Sequence, residues 1–286
     1  TPRDSFQDAA LLLVAHGSTL NAGSAAPTYQ HARTLRRQAV FAQVTEAFLQ
    51  QDPPLAGALR RIAEPRIFVA PVFISEGWFT ETVIPSVLEL PRHPNGTLRR
   101  SHTRGTQALH YCRPVGSHPG MTRVLQARAA QVTLLGSLKN PPPPAQTTLL
   151  IAGHGTSYSP ASRTAIERQV SLLRDTGRYG QVEGIFLEEP PTIADAWHIA
   201  RLPHIVLVPF FISDGLHTQE DIPEMLGEPR DSIRRRLAAG MPTWINPTCR
   251  HGKHLWCAPA IGTDPLLSEV ILERVREAST PAPSMP

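Results

Sequence analysis

The residues in this chain best suited to chemistry are two histidines, His154 and His217, and one carboxylate, Glu188. Two neutral imidazoles with a carboxylate suit a borderline divalent metal ion and leave coordination positions open for a substrate. Imidazole also accepts a proton near neutral pH, so such a group serves both to hold an ion and to take up protons. Placement supports this role. His154 ends the apolar run Leu149-Leu150-Ile151-Ala152-Gly153, Glu188 ends Gly184-Ile185-Phe186-Leu187, and His217 lies just past a third apolar run. Strands followed by helical patterns build parallel α/β sheets, whose ligands collect beyond the carboxyl ends of the strands. Three groups far apart in sequence are thereby expected at one sheet edge.

The chain also carries its own control. A shift of 138 residues lays Leu11-Leu12-Leu13-Val14-Ala15-His16-Gly17-Ser18 over Leu149-Leu150-Ile151-Ala152-Gly153-His154-Gly155-Thr156. The same shift lays Pro71-Val72-Phe73-Ile74-Ser75-Glu76-Gly77 over Pro209-Phe210-Phe211-Ile212-Ser213-Asp214-Gly215, then Thr80 over Thr218 and Ile84-Pro85 over Ile222-Pro223. One offset serving such distant blocks marks an internal duplication. Later, Gly116-Ser117-His118-Pro119 matches Gly262-Thr263-Asp264-Pro265 at an offset of 146, so the second copy has gained eight residues between Pro223 and Gly262. At the positions of His217 and Glu188 the first copy has Phe79 and Gln50, and only His16 survives. A phenyl ring neither binds a metal ion nor accepts a proton. The complete site belongs to the second copy alone.

The elements that position these groups follow from periodicity. In the second copy, strands are expected at 148–153, 181–187 and 204–212, with a weaker one near 255–261. Helices are expected near 160–174, 191–201 and 264–277, the first opened by Ser159-Pro160 as N-cap and first helical residue. The organisation expected is an N-terminal domain, 8–136, with a degenerate site, and a C-terminal domain, 148–278, with a complete one. The proline-rich stretch 137–147 reads as a stiff, extended linker. Each domain is an α/β unit, a small parallel β-sheet flanked by helices.

Composition narrows the function classes. The 286 residues are 41 % hydrophobic and 18 % charged, which fits two globular domains with their own cores. A formal charge of +4, without a basic stripe interleaved with aromatics, argues against nucleic acid. No apolar run is long enough to span a bilayer, so no membrane partner is expected. Residues Thr1 to Asp8 do not read as a signal peptide, and three cysteines fit a reducing cytoplasm rather than a disulfide framework. The tail Ser279 to Pro286 reads as a frayed end.

The His-Gly-Ser/Thr motif and the block Val208-Pro209-Phe210-Phe211-Ile212-Ser213-Asp214-Gly215-Leu216-His217-Thr218-Gln219-Glu220-Asp221-Ile222-Pro223 resemble the CbiX-type sirohydrochlorin cobaltochelatases and related ferrochelatases. The Phe-Leu-Glu segment with its following proline and the Gly-x-x-Pro element near the end of each copy are similar too; the region from Met225 to Cys257 is not. The resemblance implies two chelatase-like domains related by a pseudo-two-fold, with a tetrapyrrole held in the cleft between them. It implies insertion of a divalent ion, Co2+ first with Fe2+ or Ni2+ as alternatives, into a sirohydrochlorin-type ring in cobalamin or siroheme biosynthesis. No organic cofactor is expected, and the chain is expected to act as a monomer or homodimer. The metal-handling pair carries over to His154 and His217 and the acidic residue to Glu188, with Thr156, Ser157 and Ser213 as candidate donors to the ring's acidic side chains.

Other readings compete with this one. Arg250-His251-Gly252 matches the nucleophilic motif of histidine phosphatases, but late in the chain rather than after a first strand. Cys249, His251, His254 and Cys257 form a compact candidate second metal site, for a structural zinc or a cluster. Cys112 holds nearly the same place in the first copy as Cys257, which favours small residues buried at a strand. A carrier that binds tetrapyrrole or metal without turnover is the non-enzymatic alternative.

Overall fold

The computed structural model describes residues 6–19, 21–135, 140–155 and 160–280. Thr156, Ser157, Ser159 and part of the expected linker therefore lie outside the described residues. Two five-stranded sheets are present, with the same strand order in each. The first comprises β1 (Phe6–Ala15), β2 (Phe41–Phe48), β3 (Arg66–Pro71), β4 (Ser101–Arg104) and β5 (Gln107–Tyr111), arranged β2-β1-β3-β5-β4. The second comprises β6 (Thr147–Gly153), β7 (Gln181–Phe186), β8 (His204–Pro209), β9 (Thr248–Arg250) and β10 (Lys253–Cys257), arranged β7-β6-β8-β10-β9. All pairings are parallel except at β4 and β9, which close antiparallel hairpins at the sheet edges.

The central strands explain the apolar runs. Every residue of β6 is buried, as expected of a strand covered on both faces rather than one with a wet side. Its register against β8 pairs Ala152 with Pro209, so His154 and the loop leaving β8 emerge at the same sheet edge.

Several boundaries depart from the sequence reading. The third strand stops at Pro209 rather than at 212, and the fourth occupies Lys253–Cys257 rather than 255–261. The helix expected at 191–201 is two short turns, Ile193–Asp195 and Ala196–Ile199, opened by a Thr192/Asp195 capping box. The final helix is Leu267–Ser279, starting later than 264 because Asp264 precedes a proline and stays extended. The eight-residue gain lies in the region that contains an extra helix, Arg230–Ala238.

The compact units do not coincide with the duplicated blocks. One unit runs to His118 and takes in the chain from Pro265; the other is Pro119–Asp264. The Met121–Thr133 helix of the first copy packs on β8 and β10, and the Leu267–Ser279 helix of the second packs on β3 and β5. Each helix brings one buried arginine. Arg274 donates to Pro114 O at 2.9 Å and Ser117 Oγ at 2.9 Å. Arg128, one offset of 146 earlier, donates to Thr263 Oγ1 at 2.6 Å. Ser117 and Thr263 are themselves counterparts, so the same lock fastens both helices. Hydrogen bonds from a buried charge are worth about 1.5–3 kcal/mol each, which ties each helix firmly to its sheet.

Candidate metal centre

Three loops at the carboxyl ends of β6, β7 and β8 build the site. The first turns at Gly155, with φ +60°, where a Cβ would meet Phe186 Cβ at 2.8 Å. Only glycine suits that turn. Facing the other way, His154 O accepts from Leu187 N at 3.1 Å and from Glu188 N at 3.2 Å, which holds the β7 exit loop beside the histidine. Glu188 Oε1 thereby comes within 3.6 Å of His154 Nδ1, which also lies 3.0 Å from Gly155 O.

The loop after β8 is fastened at several points. Phe210 N donates to Ala152 O at 2.7 Å, and Ala260 N donates to Asp214 Oδ1 at 3.0 Å. Gly262 packs under it so closely that a Cβ there would lie 1.5 Å from Ile212 O. The Thr218 hydroxyl accepts from Gly215 N at 2.9 Å and donates to Gly215 O at 3.2 Å. His217–Asp221 then forms a single π-helical turn before the one-turn helix Ile222–Met225. Such turns are rare and recur at functional sites.

This scaffold brings the two imidazoles edge to face, with ring centroids 5.0 Å apart and planes at 90°. His217 Nδ1 lies 2.6 Å from Asp221 Oδ2. With Nδ1 of each ring engaged, by Gly155 O and by Asp221, the hydrogen bonding assigns both ring protons to Nδ1. Each Nε2 is left with its lone pair for an ion. The side chains of His154 and His217 are 38 % and 42 % exposed, open to a ligand from solvent. Beside His217 is a cavity of about 580 Å³ whose lining includes Glu188, His217, Asp221, Glu224 and Arg230. Arg230 is already bound to Glu224 at 2.6 Å, so the wall is net acidic and attracts cations.

The first copy keeps the backbone of this site and loses its chemistry. His16 and Phe79 meet edge to face at 4.8 Å and 90°, and Phe79–Val83 forms the same π turn. His16 Nδ1 lies 2.8 Å from Gly17 O, and Thr80 Oγ1 accepts from Gly77 N at 3.0 Å. His217, Asp221 and Glu188 are replaced by Phe79, Val83 and Gln50. Asp221, in contact with His217, is the residue at this site that the sequence reading does not single out. Its signal was present, four residues after His217 and with valine at the same shift.

Of the expected ring donors, Ser213 is half-buried in the loop leaving β8, while Thr156 and Ser157 lie outside the described residues. The second metal site is not assembled. Among the described residues no three His, Cys, Asp or Glu side chains gather closely enough to hold an ion by themselves, so neither this cluster nor His154, His217 and Glu188 forms a three-ligand set, and the latter offers its imidazole pair alone. His254 pairs with Cys249 across the β9–β10 hairpin, but His251 occupies its turn, and burial pushes the Cys257 thiol up to about 12. The supposed phosphatase motif is that same turn. His251 and Gly252 take φ of 51° and 72°, as a two-residue hairpin of type I′ requires, and Arg250 is committed to Glu228 at 2.8 Å.

The family model CbiX matches this chain twice, over residues 10–132 and 148–278. The chain belongs to the CbiX family. A probable sirohydrochlorin cobaltochelatase of Halobacterium salinarum is 37 % identical over 95 % of this chain and 92 % of its own. The sirohydrochlorin cobaltochelatase of Methanopyrus kandleri is 31 % identical over 46 % of this chain but 95 % of its own, so this CbiX relative has the length of one copy. A Deinococcus radiodurans protein, described as multi-domain with structural similarity to chelatases, superposes with a TM-score of 0.73 at 28 % identity. That likeness covers 93 % of this chain and 54 % of the larger protein. The two CbiX matches follow the sequence copies, each with its own last helix, and not the compact units.

Proposed function

We propose that this chain is a metal chelatase that inserts a divalent ion into a sirohydrochlorin-type tetrapyrrole, with Co2+ as the preferred ion. The observation that carries the reading is the edge-to-face pair His154 and His217, 5.0 Å apart at a sheet edge and present in one copy only. The relatives named as sirohydrochlorin cobaltochelatases support the choice of ring and metal.

Insertion replaces two pyrrole N–H bonds by two metal–nitrogen bonds and releases two protons. His154 and His217 hold the ion through Nε2, loosely enough to surrender it because the site is open. As ring nitrogens take the metal, each imidazole is freed, and a free imidazole is a base near neutral pH. Two imidazoles thus match two protons. Glu188, 52 % exposed and 3.6 Å from His154 Nδ1, offers that ring an outlet for a proton to solvent. Ser213, Thr156 and Ser157 are the candidate donors to the ring's carboxylates. Free Cys112, Cys249 and Cys257 accord with a cytoplasmic setting. Among the described residues no helix is long and apolar enough to cross a membrane.

The test is the initial rate of insertion of Co(II), Fe(II) and Ni(II) into sirohydrochlorin, followed by the change in ring absorbance. Fastest turnover is expected with Co(II). Binding of ring and metal without a new metal–ring spectrum would leave a carrier in place of a chelatase.

A further inference from the structure

We propose that Asp221 is a positioning residue for metal handling, fixing the tautomer and ring orientation of His217 so that Nε2 is the atom offered to the ion. The inference rests on the reading of His217 as a metal ligand. Asp221 Oδ2 lies 2.6 Å from His217 Nδ1, the short distance of a charge-assisted hydrogen bond. A carboxylate on the far nitrogen of a ligating imidazole makes the near nitrogen more basic and holds the ring in place. The adjacent guanidinium does not claim this carboxylate, because Arg230 is bound to Glu224.

The duplication separates this role from a structural one. His154 receives its Nδ1 partner from the backbone, Gly155 O, and the first copy keeps that contact between His16 and Gly17 O. The π turn and the threonine contact to the glycine also persist there. Had Asp221 served the turn, its counterpart would have been retained with the turn. Instead position 83 is valine, and the residue it would have supported, Phe79, no longer has a ring nitrogen. The first copy has neither the carboxylate nor the imidazole, the pattern expected of two parts of one device.

The experiment is a Co(II) titration without tetrapyrrole, read by visible d–d absorption and equilibrium dialysis, on wild type, Asp221→Ala, Asp221→Asn, His217→Ala and the Asp221→Ala/His217→Ala double variant. Asp221→Ala is expected to weaken Co(II) binding about 10–100-fold, the usual cost of losing a ligand's outer partner. Asp221→Asn should recover much of the loss, because its amide oxygen still accepts from Nδ1–H. The double variant should bind no more weakly than His217→Ala, since the carboxylate acts through that ring. At 39 % exposure the Asp221 side chain can change without unfolding the protein, and an unchanged melting temperature is the control for this. Asp221→Ala binding within about twofold of wild type would overturn the proposal. So would a further loss on the His217→Ala background, which would make Asp221 a ligand in its own right. An intact Co(II) cycle without any insertion activity would overturn the chelatase reading alone.

Discussion

Replacement of His217 by alanine is expected to lower the rate of cobalt insertion by at least about 100-fold, because it removes a metal ligand and a proton acceptor together. The fold should survive, since the His217 side chain is 42 % exposed and the loop before it is fastened by Thr218, Asp214 and Gly262 rather than by the imidazole. Loss of activity should therefore come without loss of helical circular dichroism or a lowered melting temperature. His16→Ala is the matched control. It removes an edge-to-face contact with Phe79, worth about 0.5–1.5 kcal/mol of stability, yet should leave the insertion rate within about twofold. Comparable losses in the two variants would mean that both copies work.

The complementary expectation is a gain. Phe79→His with Val83→Asp and Gln50→Glu should create a second Co(II) site in the first copy. The backbone is already suited to it: His16 has its Nδ1 partner in Gly17 O, the π turn Phe79–Val83 is formed, and Leu49 N and Gln50 N donate to His16 O at 3.1 and 2.9 Å. Phe79 and Val83 are half-buried and Gln50 is exposed, so none of the changes buries a new charge in the core. Equilibrium dialysis should show Co(II) stoichiometry rising from one to two per chain. Phe79→His alone should yield a site about 10–100-fold weaker, lacking the carboxylate that sets its tautomer. A stoichiometry that stays at one would show that this backbone does not suffice.

Much of this was legible in the residues. The shift of 138 exposed the duplication, and strand-end placement picked out His154 and His217, because apolar runs report parallel strands well. The exchanged helices were not legible. The apolar face of Met121–Thr133 says that a sheet must cover it, but not which sheet, and two sheets of the same strand order offer similar surfaces. The edge strands escaped for another reason. Ser101–Arg104 and Thr248–Arg250 are too short and too exposed to carry an alternating pattern. The spacing of Cys249, His251, His254 and Cys257 suits a ligand set on paper, whereas the hairpin puts His251 in its turn and leaves Cys249 exposed. Asp221 is legible only in part. Its four-residue spacing from His217 acquires meaning once the turn between them is known, and the valine at position 83 then becomes informative.

The most direct test of the account is where cobalt sits. In crystals soaked with Co(II), anomalous diffraction at the cobalt edge should give a peak about 2 Å from Nε2 of both His154 and His217. No comparable peak is expected at His16 or at the β9–β10 hairpin. A cobalt ion bound at either of those places, with the His154–His217 pair empty, would contradict it.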